Sequence, residues 1–301
     1  MLTRRQSLTA AAALPMAAAL PARAEAPMLG PAAADFRRFT LGDFEVTTLL
    51  SASVRRDDVR GIFGTNVDDD TFNAVSARNV LDPGAGTFFF TPTIVNTGAG
   101  LVLFDTGLGP EAITGALARA GYTPEQVDTV VLTHMHGDHI GGMATDGTPT
   151  FPNAGYVTAS AEYDFWAGAE NGGFEANVRP FAERFRFIED GEDVVTGLTA
   201  MAAHGHTPGH TVYHIESNGQ RVLLFADLAN HPVWSLANPD WHVRFDNDPE
   251  AAAISRRRVL DMIAADRIPA IGYHMPFPAI GYVAAEGDGF RWFPESGQLR
   301  G

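Results

Sequence analysis

The stretch "THMHGDHIGG" (133–142) sets three histidines and an aspartate into six positions, directly after the apolar run "VDTVVL". His134, His136 and His139 are three of only ten histidines in a chain of 301 residues, so their crowding needs a reason. An apolar run without polar alternation predicts a strand covered on both faces. Beyond it, the two-residue period of extended chain brings His134, His136 and Asp138 to one side, while a turn at Gly137 redirects His139. Imidazole nitrogen and carboxylate oxygen are the donors zinc-like divalent metals take, and four of them exceed what one tetrahedral ion needs once ligands from elsewhere join.

Three later stretches offer such ligands. "HGHTPGHT" (204–211) has a Pro-Gly turn that can hold a histidine on a rigid loop. "LLFAD" ends a further apolar run in Asp227, a carboxylate that is costly to bury without a counter-charge. "IGYHMPFP" places His274 at the end of another run. The chain has no cysteine, so thiolate sites are excluded and His with carboxylate must hold any transition metal.

The rest of the pattern predicts a strand over 44–51, a β-hairpin over 93–107, a helix from Gly109 ending at Gly121, a strand in "FPNAGYVTAS" leading into a helical "SAEYDFWAG", and a helix over 249–264. The Asp- and Arg-rich segment 54–82 lacks periodicity and reads as an excursion over the surface. Hairpins followed by strand–helix alternation predict an α/β fold in which sheets pack together with helices outside. Hydrophobic residues make up 45% of the chain, ample for one substantial core. A formal charge of −15 excludes nucleic acid as a partner, because phosphate binding needs clustered Lys and Arg.

The N-terminus has a basic start, an apolar stretch over 10–20 and the small-x-small triplet Ala22, Arg23, Ala24, which predicts an export signal over 1–24. The stretch is too short for stable membrane insertion. "TRRQSL" (3–8) resembles a twin-arginine signal, which implies a periplasmic or secreted protein after cleavage near Ala24. A Pro/Ala/Gly-rich tether over 25–35 and one folded domain over 36–301 complete the expected organisation.

The His-x-His-x-Asp-His run, the later histidine, the strand-end aspartate and the final histidine together resemble the metallo-β-lactamase superfamily. Within it, "LGDFEVTTL", "AGYTPEQVD", "FPNA", "DFW" and "FPAIGYVAAEGDGFRWFP" are similar to segments of the methyl parathion hydrolase and lactonase-like group. The resemblance implies an αβ/βα four-layer sandwich with a dinuclear site where the sheets meet. It implies that His134, His136 and His210 hold one metal, that Asp138, His139 and His274 hold the other, and that Asp227 bridges both. Asp105 in "LFDTG" matches an aspartate that supports the metal loop, and Trp166 a residue of the substrate pocket. Phe174 joins the pocket candidates, whereas Phe88, Phe89 and Phe90 read as core. Seven ligands suffice for two ions, so His204 and His206 read as loop or supporting residues. His231 stands within reach of a pocket, and His214 and His242 read as structural or surface residues.

Two divalent ions, zinc first among them, would bring a bridging water's pKa towards roughly 7 and polarise a carbonyl or phosphoryl oxygen. Asp138 then serves as a proton carrier. No cluster of Arg or Lys lies beside the motifs, which favours a small uncharged lactone or aryl ester, with organophosphate triesters as a side substrate. The alternatives on the same scaffold are a β-lactam or thioester hydrolase and a non-catalytic metal- or ligand-binding periplasmic protein. Relatives of this kind imply a homodimer.

Overall fold

Leu101–Phe104 shows how the layers arise. In the computed structural model, which describes residues 34–296, Val102 and Phe104 point into one hydrophobic cluster while Leu101 and Leu103 point into another. Successive side chains of a strand face opposite ways, so a run that is apolar throughout must be covered twice. Gln220–Ala226 repeats the device: Val222, Leu224 and Ala226 face the first strand's inner cluster, and Leu223 and Phe225 face Val259, Leu260 and Ile263 of the helix Pro249–Asp266. The layers are therefore helix, sheet, sheet, helix, as the resemblance implied.

The N-terminal sheet has the order Phe36–Leu41, Phe44–Leu49, Thr93–Asn96, Leu101–Phe104, Thr129–Val131, Gly155–Ala159 and Phe185–Ile188. Its first four strands pair antiparallel, and the last three are added in parallel. The crossovers carry the helices Pro110–Arg119 and Ser160–Gly168. The C-terminal sheet runs Asp193–Val195, Leu198–Ala202, Thr211–Ser217, Gln220–Ala226, Ala270–Gly272, Ile280–Glu286 and Gly289–Pro294, with its one parallel pair between Gln220–Ala226 and Ala270–Gly272. In such sheets the carboxyl ends of parallel strands open into a crevice. Asp105, Thr133, Asp227 and Tyr273 each lie just beyond one of these ends. Asp105 and Ala226 turn through the left-handed region (φ 60° and 47°), at roughly 1–2 kcal/mol each, which swings the chain into the crevice.

Residues 54–82 are not a surface excursion. With Ala52–Arg56 paired to Gly86–Phe90 and the helix Asp69–Arg78, they form a cap with its own core. Val59, Ile62, Phe63 and Phe72 are fully buried against Phe88, Phe90, Trp234 and Trp241. Trp234 is central: its ring stacks on Phe72 at 5.4 Å and its Nε1 donates to Ser76 Oγ at 2.9 Å. Trp234→Ala is expected to cost about 3–5 kcal/mol in denaturant unfolding. A change under about 1 kcal/mol would show that the cap carries no such core.

The expected export signal and most of the tether lie outside the described residues. No helix among the described residues is long and apolar enough to cross a membrane.

Candidate metal centre

The strand Thr129–Val131 ends before the histidines, so the expected alternation is replaced by a loop and one helical turn, Gly137–Ile140. Asp105 organises that loop. Its two oxygens accept from the Thr133 backbone N–H and hydroxyl, both at 2.9 Å, and Oδ2 lies 2.9 Å from His139 Nδ1. Asp105, expected to support the metal loop, thus lies against Thr133 and His139. The turn packs so closely that a Cβ on Gly142 would lie 2.1 Å from the Thr106 carbonyl oxygen. Only glycine fits there.

Two groups of donors converge. His134 Nε2 lies 3.1 Å from His136 Nδ1 and 3.2 Å from His206 Nε2. Opposite them, Asp138 Oδ2 lies 3.6 Å from His139 Nε2 and 3.3 Å from His274 Nε2. Asp227 stands between: Oδ1 is 3.2 Å from His139 Nε2, and Oδ2 is 3.3 Å from His206 Nε2 and 3.2 Å from His274 Nε2. Within each triad His134/His136/His206, His134/His139/Asp227 and Asp138/His139/His274, one donor atom per residue lies within 4.8 Å of the others.

The chemistry of this set fits divalent metal ions. His139 Nε2 and Asp227 Oδ1, although 3.2 Å apart, are buried and form no hydrogen bond among the described residues, an arrangement that is costly unless a ligand completes it. Nitrogen and hard oxygen donors without sulfur suit zinc and its neighbours. The carboxylates draw positive charge to two of these histidines. Burial alone would lower His206, but bonds to Asp227 and Asp246 outweigh it and hold it up to about 9. Burial is likewise outweighed at His274, where the Asp227 charge and the bond to Asp138 hold it up to about 10. Burial and the neighbouring His206 charge push His136 down to about 3.

His210, expected as a ligand, is not part of this cluster. Its Nδ1 donates to the Ala203 carbonyl at 3.0 Å and its Nε2 accepts the Asp227 backbone N–H at 3.2 Å, so both ring nitrogens are spent on backbone. His206, expected only as a support, takes the place. A Pro-Gly turn sends its two flanks to different sides, and spacing alone does not say which flank faces the crevice. His206 Nδ1 lies 2.8 Å from Asp246 Oδ1, and Asp246 Oδ2 accepts from Arg256 at 3.1 Å. Carboxylate behind imidazole fixes the tautomer and ring orientation of a ligating histidine. Neither Asp246 nor the fully buried Arg256 was recognisable from sequence, since both look like surface charges around a helix start.

The other histidines stay outside. His231 caps the turn Pro232–Ala237, its Nδ1 accepting the N–H groups of Val233 and Trp234 at 3.1 Å. His204 is exposed, and His214 and His242 are half-buried away from the cluster.

A family model for the metallo-β-lactamase superfamily matches residues 90–270. The chain belongs to that superfamily. An N-acyl homoserine lactonase from Bacillus sp is 26% identical over 185 residues, covering 62% of this chain and 67% of the relative. The N-acyl homoserine lactonase AiiA of Bacillus thuringiensis subsp. kurstaki is 28% identical over 159 residues, covering 52% and 59%. The chain thus spans about six-tenths to two-thirds of the length of these lactonases. Among solved structures, AidC, a dizinc quorum-quenching lactonase in complex with a product, superposes with TM-score 0.80 at 26% identity over 87% of this chain and 97% of its own. The hydrolase AbOPH gives 0.81 at 25% identity over 88% and 99%.

On this metallo-β-lactamase scaffold a cleft of about 390 Å³ lies against the cluster. Asp138, Asp227 and His274 form its floor, and Phe88, Phe90, Leu108 and Phe245 its walls, with Arg56 and Asn230 as polar groups. Arg56, from the cap, is a single arginine in this lining and not a cluster of basic groups. Trp166 and Phe174 are not in this lining. Phe174 is fully buried in the core between the N-terminal sheet and its helices, and Trp166 lies edge-on to His136 at 5.7 Å with its Nε1 bonded to Glu162. Phe88 and Phe90, expected as core, serve both the cap and the cleft.

Proposed function

We propose that the protein is a dinuclear metal-dependent hydrolase that opens lactones, with N-acyl homoserine lactones as the favoured class. The observation that carries this reading is Asp227, which faces both donor groups at the floor of an apolar cleft. His134, His136 and His206 would hold one ion, Asp138, His139 and His274 the other, and Asp227 both. When bound, a pair of divalent cations, zinc foremost for this donor set, supplies Lewis-acid polarisation of a carbonyl and a water that ionises near neutral pH.

The chain's own residues do the rest. Phe88, Phe90, Leu108 and Phe245 exclude water along an acyl chain, and Arg56 is a donor for an amide carbonyl beside it. Asn230 Nδ2 donates to Asp227 Oδ2 at 2.8 Å and keeps that carboxylate turned to the cluster. Asp138, at 23% side-chain exposure, is more open to the cleft than Asp227 at 4%. On this reading it is the carboxylate that would carry a proton to the departing alkoxide. The aromatic walls favour aryl esters as a second substrate class, and triesters with aryl leaving groups follow from the same fit. Export from the cytoplasm and a homodimeric state belong to this proposal through the N-terminal pattern and the resemblance.

The test is metal analysis of purified protein followed by parallel assays of an N-acyl homoserine lactone, dihydrocoumarin, 4-nitrophenyl acetate, a paraoxon-type triester and nitrocefin. The lactones are expected to give the highest kcat/KM. Preference for nitrocefin would move the reading to a β-lactam hydrolase, and metal-replete protein inert to all five would make it a binding protein.

A further inference from the structure

The helix Ser160–Gly168 carries a carboxylate that the chemistry above does not use. Glu162 is fully buried, and both of its oxygens are saturated. Oε1 accepts from the Met135 backbone N–H at 2.8 Å and from Trp166 Nε1 at 2.7 Å. Oε2 accepts from the Thr207 hydroxyl at 2.6 Å and from the Gly209 N–H at 2.9 Å. Met135 sits between His134 and His136, and Thr207 follows His206. One side chain therefore ties the backbone carrying two imidazoles to the backbone carrying the third. The two loops leave different sheets, one after Thr129–Val131 and the other after Leu198–Ala202.

The approach is close enough to dictate sequence. A Cβ on Gly209 would lie 2.2 Å from the Glu162 nitrogen and 2.5 Å from its Cβ, so the loop can rest on the helix only with glycine there. Removing a carboxylate from water is costly, and an apolar residue would fill the same space without that cost. The group is explained by what it fastens. The second donor group has fastenings that do not involve Glu162: Asp105, which also holds Thr133, lies 2.9 Å from His139 Nδ1, and the Tyr273 hydroxyl donates to the Asp138 carbonyl at 2.6 Å.

We propose that Glu162 is a positioning residue that sets the spacing of His134, His136 and His206, and through it the affinity of the metal those three hold. The proposal rests on the reading of these histidines as ligands. Glu162 bonds the chain at Met135, Thr207 and Gly209, beside those three histidines, so its effect is selective for one of two metals.

Glu162→Gln keeps the shape but points an amide donor at two of the four donors. Stepwise zinc affinity, read by competition with a chromophoric chelator, is expected to fall about 10–100-fold for one zinc and by less than about threefold for the other. Bound Co²⁺ should show an altered d–d band for the same site, while circular dichroism and the thermal melt report the fold. Thr207→Val removes a single donor and should weaken the same zinc by less than about tenfold. Equal weakening of both zincs, or no weakening of either, would overturn the proposal. If Glu162→Gln does not fold, Thr207→Val decides by the same criterion. A wrong substrate reading would show separately, as zinc-loaded wild-type protein that leaves lactones intact, with the selective zinc loss unchanged.

Discussion

Asp227→Ala is expected to lower lactone turnover by about 10³-fold or more and to weaken both metals at once, because Lewis-acid polarisation and the activated water are lost together. The reason lies in the geometry. Each Asp227 oxygen faces a different part of the cluster, Oδ1 towards His139 and Oδ2 towards His206 and His274. Most of these donors face one group, so their removal should spare one ion; Asp227 faces both. Steady-state kinetics with metal analysis of the same preparation checks this. Retained turnover, or loss of one metal with the second held as in wild type, would show that Asp227 does not bridge.

The second large effect separates two histidines four residues apart. His206→Gln should lose about 10²-fold or more in turnover and release the metal held with His134 and His136. His210→Gln should retain both metals and lose less than about tenfold, since a glutamine can offer a donor to the Ala203 carbonyl and an acceptor to the Asp227 N–H. Its cost should appear in stability, at about 1–3 kcal/mol for imperfectly replaced buried bonds. The reverse order, with His210→Gln metal-poor and His206→Gln metal-replete, would restore the ligand set expected from sequence.

These two histidines mark where sequence stops being informative. The packing of sheets with helices outside could be read because hairpins are followed by strand–helix alternation, and the apolar runs Leu101–Phe104 and 222–226 agree with strands covered on both faces. Asp227 and His274 could be read because polar groups at the ends of such runs need a purpose. Choosing His206 over His210 requires knowing how a Pro-Gly turn is rotated, and that is fixed by Glu162 and Asp246 from elsewhere in the chain. Glu162 itself lies in "SAEYDFWAG", where a glutamate normally marks the solvent face of a helix. The cap escaped because its apolar residues are parcelled among a strand, short turns and a helix, and four of their six buried partners, Trp234, Trp241, Val243 and Tyr273, come from 150 or more residues later. Trp166 poses a related difficulty: an aromatic near a metal motif can line a cleft or brace the loop behind it, and only contacts distinguish the two.

The central claim is that two cations share Asp227 between a three-histidine group and an Asp138–His139–His274 group. A crystal structure of the zinc-loaded protein, with anomalous difference maps collected on either side of the zinc edge, tests it directly. Two peaks are predicted, one ringed by His134, His136 and His206, the other by Asp138, His139 and His274, with Asp227 in contact with each. A single peak, a peak ligated by His210, or Asp138 and His274 turned away from both would contradict the account.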